Sequence, residues 1–382
     1  MTPHEVQSQQ HQSRLHQLIG AEVSLYTGKL RSYLQYKNIP FTEITASTKV
    51  YREIILPRTG VRYIPVLITD DDIALQDTTE IIDFLEQRYP QDSVYPTGAC
   101  QKLMALLLET YADEWLVIPA MHYRWNYEEN REFAIREFGR TAAPTASAEE
   151  QLAIGRSNAK PFAGALPRLG VTANNTAAIE KSYLALLSEL DNHFQQHLFL
   201  FGAKPSIGDF GLFGPLYAHL YRDPYSGRLM QAQAPHVVAW VQRMLQPRSG
   251  SGEFLPDDQI PETLLPILSR MFAEQGPVLK ATIDQVKNWA ANHEDEVIPR
   301  AIGELTFHLD GIAATRLTFP YMQWMWQRGY DAYRDMTEVD QRRAQAILAP
   351  VPGAAGLLQY PIEQRVKRQH NKLILTQSHS AR

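Results

Sequence analysis

Two hydroxyl side chains, those of Tyr26 and Thr27, stand where a strand-like stretch meets a helix-like one in AEVSLYTGKLRSYLQYKNIPF, residues 21–41. The alternation in EVSLY predicts a strand, and KLRSYLQYKN repeats large apolar side chains at the i, i+3, i+4 spacing of a helix. The first amide groups of a helix point outward and favour anions. A hydroxyl group at such a turn can hold an anion or a nucleophile, so the turn is a candidate active site.

The net charge and the single cysteine argue against several classes of function. The chain of 382 residues has a formal net charge of −5 and a single cysteine, Cys100. Because there is no long basic block, we expect no nucleic-acid partner, and we interpret the most basic run, QRVKRQHNK at 364–372, as a solvated helix face. One thiol forms neither an internal disulfide nor a cysteine-based zinc site, and we predict no metal cofactor.

The N-terminal stretch MTPHEVQSQQHQSRLHQL has no apolar segment of the kind that secretory signals carry. No stretch of the sequence approaches the roughly 18 apolar residues that a bilayer span requires. We therefore predict a cytoplasmic protein that begins with a flexible tail over residues 1–20.

The first hundred residues alternate between strand and helix patterns. After the candidate turn, FTEITAS predicts a strand, VYREIIL a short helix, and YIPVLIT with IAL a hairpin around the acidic turn TDDD. DTTEIIDFLEQRYP predicts a helix that Asp77 or Thr78 caps and that ends before Pro90. The predicted order is β-α-β-α-β-β-α.

From about residue 100 the pattern is helical. QKLMALLLETYADEWLVIPAMHYRW predicts one long helical segment with a kink or break caused by Pro119. Residues 138–160 suggest a loop with a short helix. SIGDFGLFGPLYAHL predicts a helix with a capping box, in which Ser206 and Asp209 satisfy each other's free amides.

A stretch rich in Pro, Gly, Ser and Asp at 246–261 predicts a domain boundary. Beyond it lie further helical patterns and the segment ELTFHLDGIAATRLTF (304–319), whose Asp310-Gly311 pair predicts a β-hairpin. Four side chains in this part suggest no specific role: His308, Arg316, Trp324 and Trp326. The aromatic helix that carries the two tryptophans could cover a cleft or form an interface, and packing is the simpler interpretation.

Residues 21 to about 247 resemble a glutathione transferase. KLRSYLQYKNIPF is similar to the first helix and second strand of that family, RYIPVL to its VPxL turn, and DTTEIIDFLEQRYP to the helix after its acidic-or-Gln/Ser pair. The segment Ser206-Ile207-Gly208-Asp209 resembles the capping box of its helical domain. The resemblance implies a thioredoxin-like domain (21–95), a helical domain (100–247) and, in 250–382, an α-rich extension with a β-hairpin that ordinary glutathione transferases lack.

The resemblance implies that glutathione binds as co-substrate. A cis Pro65 would let the Ile64 backbone pair with the cysteinyl part, and Asp77 with Thr78 would hold the γ-glutamyl group. From the residues alone, Asp77 and Thr78 are equally a plain helix cap. The full set of glutathione-binding residues implied in this way is Arg58, Ile64, Pro65, Gln76, Asp77 and Thr78, of which Arg58 is equally an exposed loop residue.

The resemblance also implies a hydroxyl or thiol group near the end of the first strand, which would donate a hydrogen bond to the glutathione sulfur and favour its thiolate. The Ser/Cys-Pro element of the family is missing and the connection after EVSLY is short. These two departures leave Tyr26 and Thr27 as the catalytic candidates. Tyr26 is equally a core tyrosine, and Thr27 is equally a helix N-cap.

Four residues occupy the helix that, by resemblance, faces the second-substrate cleft: Trp115, His122, Arg124 and Trp125. Aromatic rings beside an arginine could hold a planar or anionic electrophile. The same side chains at this spacing are equally typical of a packed core.

Our leading hypothesis is an enzyme that conjugates glutathione, as thiolate, to a small electrophile, in a homodimer as is common in the family. A non-catalytic relative, whose extension serves a protein partner, is the first alternative. A glutathione-dependent lyase or isomerase is the second.

Overall fold

The computed structural model describes residues 15–250, 252–293 and 297–376. Its first part is a four-stranded sheet with helices. The strands are β1 His16–Gly20, β2 Phe41–Thr45, β3 Val66–Ile68 and β4 Ala74–Gln76. The helices are α1 Leu25–Tyr36, α2 Thr48–Val50, α3 Leu56–Thr59, which follows a π-helical turn Tyr51–Ile55, and α4 Thr78–Arg88.

The sheet has the strand order β2-β1-β3-β4. Strand β1 runs parallel to β2 and antiparallel to β3, and β4 runs antiparallel to β3. The predicted order β-α-β-α-β-β-α and the thioredoxin-like fold are thereby confirmed.

The first strand, however, lies earlier in the chain than predicted. HQLIG, predicted to belong to a flexible tail, forms β1 in the middle of the sheet, with Leu18 and Ile19 fully buried. EVSLY is not a strand, because α1 already begins at Leu25 with Ser24 as its N-cap. Pairing with β2 and β3 on both sides decides which segment is the strand, and alternation along one segment does not reveal that pairing. The part of the predicted tail before residue 15 lies outside the described residues.

The second part of the chain consists of helices: α5 Ala99–Glu114, α6 Val117–Asn126, α7 Glu128–Ala142, α8 Ala148–Ala163, α9 Thr176–Gln196, α10 Ile207–Pro215, continued by a π-helical turn Leu216–Tyr221, α11 Pro224–Gln233 and α12 Pro235–Leu245. A 3₁₀ turn, Pro167–Leu169, precedes α9.

The predicted break at Pro119 is confirmed between α5 and α6. Proline has no N–H to reach the Trp115 carbonyl one turn earlier, and that carbonyl accepts from the Ile118 amide at 3.0 Å instead. The predicted loop at 138–160 is wrong, because α7 and α8 cover most of it. A capping box of Ser147 with Glu150 starts α8 there.

The extension begins with two 3₁₀ turns, Pro256–Asp258 and Glu262–Leu264. Its longer elements are α13 Leu265–Glu274, α14 Gly276–Ala290, β5 Glu304–Leu309, β6 Ile312–Leu317, α15 Pro320–Arg334, α16 Glu338–Leu348, α17 Ala354–Leu358, β7 Val366–Gln369 and β8 Lys372–Leu375.

Both short sheets of the extension are hairpins. The predicted hairpin is confirmed as β5-β6, with Asp310 and Gly311 at positive φ (50° and 77°). The basic run at 364–372 is not a helix face, because it forms much of the β7-β8 hairpin. His370 and Asn371 turn that hairpin at φ of 49° and 61°, a two-residue turn that asparagine tolerates well.

One hydrophobic cluster joins the three parts. It runs from Leu18 in β1 through Leu107 in α5 to Trp326 in α15. Gly329 lets α15 approach α5 closely, because a Cβ atom there would lie 3.1 Å from the Leu107 side chain. Within the described part of the chain, no helix combines the length and the apolarity that a bilayer span requires.

The predicted capping box at Ser206 and Asp209 is confirmed and fully buried. Asp209 accepts hydrogen bonds from the amide and hydroxyl of Ser206 at 2.8 Å each, from the Leu200 amide at 3.1 Å and from Trp240 Nε1 at 3.1 Å. The carboxylate therefore ties the start of α10 to a preceding loop and to α12.

Replacing Asp209 by alanine leaves these donors buried without an acceptor. We expect Asp209→Ala to lower the free energy of unfolding by at least about 2 kcal/mol, measured by urea denaturation. Glu150→Ala removes the matching carboxylate from the exposed capping box of α8 and should cost less than about 1 kcal/mol. Equal losses in the two variants would contradict the role of burial.

Candidate functional site

Three chain segments meet where β1 and β4 end and β3 begins. Ile19 lies opposite Val66 in the β1-β3 pair, and Val66 lies opposite Gln76 in the β3-β4 pair. This register brings together 20–24, 64–65 and 76–78, which we call the junction. Strand ends that converge in this way are common positions for ligand-binding groups.

The junction contains a cis peptide bond between Ile64 and Pro65, as predicted. Strand β3 begins at Val66. Ile64 therefore lies outside the sheet ladder, and its peptide groups are not used in pairing with β1 or β4.

Ser24 also lies at the junction, and it was not among the site residues that we predicted from the sequence. It is half-buried at the N-cap of α1, and its Oγ accepts from the Thr27 amide at 3.3 Å. Because Ser24 acts as an acceptor in the cap, its own hydroxyl hydrogen remains available to a ligand. Leu25 follows Ser24, so the chain has no Ser-Pro pair at this position. Ser24 was not among the predicted residues because EVSLY was expected to be a strand, although a serine directly before a helical pattern was an available signal.

The two predicted hydroxyl groups are engaged in the fold. The Tyr26 hydroxyl donates to the Asp113 carbonyl at 3.1 Å, and burial together with Glu114 and Asp113 raises the Tyr26 pKa well above its ordinary value. Thr27 is fully buried, and its Oγ1 accepts from the Ala21 amide at 3.3 Å. Both side chains hold the junction loop in place.

Asp77 and Thr78 begin α4 at the junction. Asp77 is the N-cap, has a φ of 85° and accepts from the Thr79 amide at 2.9 Å. Its second carboxylate oxygen accepts a hydrogen bond from the Tyr321 hydroxyl of α15.

Arg368 of β7 covers the same residues. Its guanidinium donates to Gln76 Oε1 at 2.9 Å and to the Gln76 carbonyl at 3.3 Å. It also lies 3.5 Å from the Asp77 carboxylate and 2.9 Å from that of Glu80. The extension thus occupies the predicted γ-glutamyl position, and the side chain of Trp324 supports Arg368 from its ring face at 5.6 Å.

Arg58 is not brought to the junction. Its guanidinium donates to the Asp72 side chain at 3.1 Å and to the Asp72 carbonyl at 2.5 Å. Asp72 lies in the turn between β3 and β4, at the opposite end of β3 from Pro65. Another arginine, Arg300 of the extension, lies near the junction and donates to the Tyr63 hydroxyl at 3.2 Å.

The four predicted second-substrate residues separate into two groups. Trp115 lies at the end of α5, where its Nε1 donates to the Glu274 carboxylate at 3.1 Å. His122 bonds Glu180 at 2.8 Å, and Trp125 stacks on Phe138 with ring centroids 5.8 Å apart, both within the helical domain.

Arg124 is 2% exposed, and all five of its N–H groups have partners. Nε and Nη2 each donate to the Asp223 carboxylate at 2.7 Å, Nη2 also to the Ala218 carbonyl at 2.6 Å, and Nη1 to His219 at 2.9 Å and to the Val23 carbonyl at 2.8 Å. No donor is left for a substrate. Instead, Arg124 fixes the loop residue that precedes Ser24.

The thiol of Cys100 and the potential metal ligands are considered next for the described part of the chain. Cys100 is buried, and burial together with Asp258 raises its pKa to about 12. Among the residues that the structure describes, no group of three or more His, Cys, Asp or Glu side chains is arranged to hold a metal ion.

Comparison with known families gives two matches. Residues 18–93 match the family described as "Glutathione S-transferase, N-terminal domain", and residues 173–243 match "Glutathione S-transferase, C-terminal domain". No curated protein matches the chain.

Solved structures with similar folds include a glutathione S-transferase from Rhodospirillum rubrum F11, with 17% identity and a TM-score of 0.39 over 65% of this chain and 97% of that one. A glutathione S-transferase from Methylobacterium radiotolerans, solved with glutathione sulfonate, has 16% identity and a TM-score of 0.39 over 60% and 89%. The β-etherase LigF from Sphingobium has 15% identity and a TM-score of 0.45 over 60% and 94%. Because these TM-scores are low, the family assignment rests on the two domain matches.

The contacts of Arg124 with Asp223 and with the Val23 carbonyl, which we call the Arg124 clamp, lead to a testable prediction. Arg124→Met leaves Asp223 buried without its cation, which should lower the free energy of unfolding by about 3–5 kcal/mol in urea denaturation. The control is Arg228→Met, whose bidentate pair with Glu129 is exposed and should contribute about 1 kcal/mol or less. A small loss in both variants would show that the clamp does not anchor the loop.

Proposed function

The chain belongs to the glutathione transferase superfamily, and from this premise we propose that it binds glutathione at the junction and conjugates the glutathione thiolate to an electrophilic small molecule. The observation that carries the proposal is the convergence of Ser24, the cis Ile64-Pro65 bond and the N-terminus of α4 at one place. The proposal includes a cytoplasmic homodimer, for which the family is the sole support.

Each part of the junction would meet a different part of glutathione. The free peptide groups of Ile64 would pair with the cysteinyl backbone as an added strand. The hydroxyl of Thr78 and the first amides of α4 would donate hydrogen bonds to the γ-glutamyl carboxylate, and Asp77 would pair with the α-amino group. Positioning by these contacts lowers the entropy cost of bringing the sulfur to the electrophile.

The sulfur would lie near the N-terminus of α1. Ser24 has a free hydroxyl hydrogen there, and the helix dipole favours a thiolate. Tyr26 and Thr27, the candidates from the sequence, are less well placed, because one bonds the Asp113 carbonyl and the other is fully buried. We therefore add Ser24 to the candidates and rank it first.

A set of single variants tests this ranking. Wild-type protein should be retained on immobilised glutathione and should conjugate a generic aromatic electrophile. Ser24→Ala should lower kcat on the order of 10²-fold, the usual effect of removing one donor to a developing anion, while Tyr26→Phe and Thr27→Val change kcat only a few-fold.

Ser24→Ala also removes a helix cap, so Ser147→Ala, which removes the cap of the remote helix α8, is the control for lost stability. Folded wild-type protein that neither binds glutathione nor turns over would overturn the proposal. Products of bond cleavage or isomerisation in place of a conjugate would favour the lyase or isomerase alternative, which begins from the same thiolate.

The second candidate function is a non-catalytic protein that serves a partner through its extension. The contacts of Arg368 and Tyr321 favour it, because they already satisfy the carboxylate of Asp77 that would bind the glutathione amino group. In this case the extension replaces glutathione as the occupant of the junction.

A double variant separates the two candidates. If the extension excludes glutathione, Arg368→Gln with Tyr321→Phe frees Asp77 and should raise glutathione affinity at least about tenfold (about 1.4 kcal/mol), measured by calorimetry. Arg365→Gln is the control, because this neighbouring arginine pairs with Asp331 instead. An unchanged or lower affinity in the double variant would exclude competition by the extension.

A further inference from the structure

Two nitrogen atoms of a buried arginine in the extension have no hydrogen-bond partner. Arg316 of β6 is 2% exposed, and its Nε and Nη1 atoms are buried without an acceptor. The alternation of β6 places Arg316 on the inward face with Ala314, where an apolar side chain is expected. Buried donors of a charged group are costly unless something satisfies them.

The surroundings hold the guanidinium in one place. It lies 5.5 Å from the ring centroid of Trp115 and 5.8 Å from that of Phe319. The stem is packed against Gly170, where an added Cβ atom would come within 3.2 Å of the Arg316 Cβ and 2.4 Å of the Phe307 ring. With its faces near aromatic rings, the guanidinium can present its N–H edge to a planar acceptor.

Glu114, at the end of α5 and next to Trp115 in the chain, is the acid whose charge acts on Arg316. Burial lowers the pKa of Arg316 to about 10 and Glu114 opposes that shift, yet no ion pair or hydrogen bond joins the two among the described contacts. Burial, together with Asp113, raises the Glu114 pKa to about 8, so the carboxyl group is largely protonated at neutral pH and can donate a hydrogen bond. The other ionisable groups that act on Glu114 or feel its charge are Asp77, Arg300, Tyr26 and Tyr321.

We propose that Arg316, with Glu114 and the rings of Trp115 and Phe319, forms a binding site for a small carboxylate anion. A carboxylate matches the planar N–H fork of arginine in geometry and charge. The protonated Glu114 would donate to the same ligand, and the rings would contact its apolar part. The extension contributes Arg316 and Phe319, the end of α5 contributes Glu114 and Trp115, and the site does not depend on glutathione binding.

The test uses benzoate as the probe, with inorganic phosphate and with sodium chloride at equal ionic strength as comparisons. Benzoate should raise the melting temperature of the full chain in a saturable way, and sodium chloride should not. If phosphate stabilises the protein and benzoate does not, the site prefers a tetrahedral anion, and the proposed ligand class is wrong. No response to either anion beyond that of the salt would overturn the site.

Arg316→Met removes an uncompensated buried charge, so the unliganded variant should melt at or above the wild-type temperature and should lose the benzoate response. A purely structural role for Arg316 predicts a lower melting temperature instead. Arg365→Met, in the same extension, should keep the response. A benzoate response that persists in Arg316→Met would overturn the proposal.

Glu114 provides a second, independent readout. Since its pKa is about 8, the carboxyl group becomes charged between pH 7 and pH 9 and should repel the ligand. We expect benzoate affinity in the wild type to fall roughly tenfold over this range, and to fall much less in Glu114→Gln, which stays neutral and keeps a donor. Equal falls in both proteins would contradict the role of Glu114.

Discussion

The buried ion pair network around Lys29 is the constraint on which the rest of the structure depends. Lys29 of α1 contacts Glu109 at 2.8 Å and Asp113 at 2.6 Å, both on α5, and its side chain is fully buried. Although burial opposes the charge, the two carboxylates raise the pKa of Lys29 above its ordinary value. Arg328 of α15 lies 3.5 Å from the other oxygen of Glu109, so one carboxylate joins the sheet domain, the helical domain and the extension. Removing one partner from such a network typically costs about 3–5 kcal/mol.

The same network also fixes the position of the chain segments that form the junction. Asp113 holds Lys29 through its side chain and Tyr26 through its carbonyl, so the end of α5 is tied to the start of α1. On the other side, Arg124 holds the Val23 carbonyl, and Arg222 donates to the Glu22 carbonyl at 3.0 Å. The connection before Ser24 is therefore held in position by the helical domain.

The parts of the fold that the sequence predicted well have strong local signals. The β3-β4 hairpin, the Asp77 cap, the Ser206 capping box and the Asp310-Gly311 turn each depend on residues close in the chain. The position of β1 does not, because a five-residue strand in the middle of a sheet is selected by its two neighbours. Because of that single error, the sequence prediction considered Tyr26 and Thr27 at this turn and passed over Ser24. The contacts of Arg368 with Gln76 and of Tyr321 with Asp77 join residues far apart in the chain, and no spacing pattern could reveal them.

The two candidate functions require structures that differ in only a few contacts at Asp77, although the extension is large. Arg368 makes its shorter contacts, at 2.9 Å each, with Gln76 and Glu80, and its distance to Asp77 is 3.5 Å. If the amino group of a ligand took the place of Arg368 at Asp77, the guanidinium would keep its partners on the same helix and strand. The β7-β8 hairpin would not have to move away from the junction. The Lys29 network, which holds α15 through Glu109, would also remain intact. Under the proposed function, exchange at Asp77 would therefore be a local change in a few hydrogen bonds, including that of the Tyr321 hydroxyl, and the affinity of the competing ammonium group would decide which occupant the junction holds.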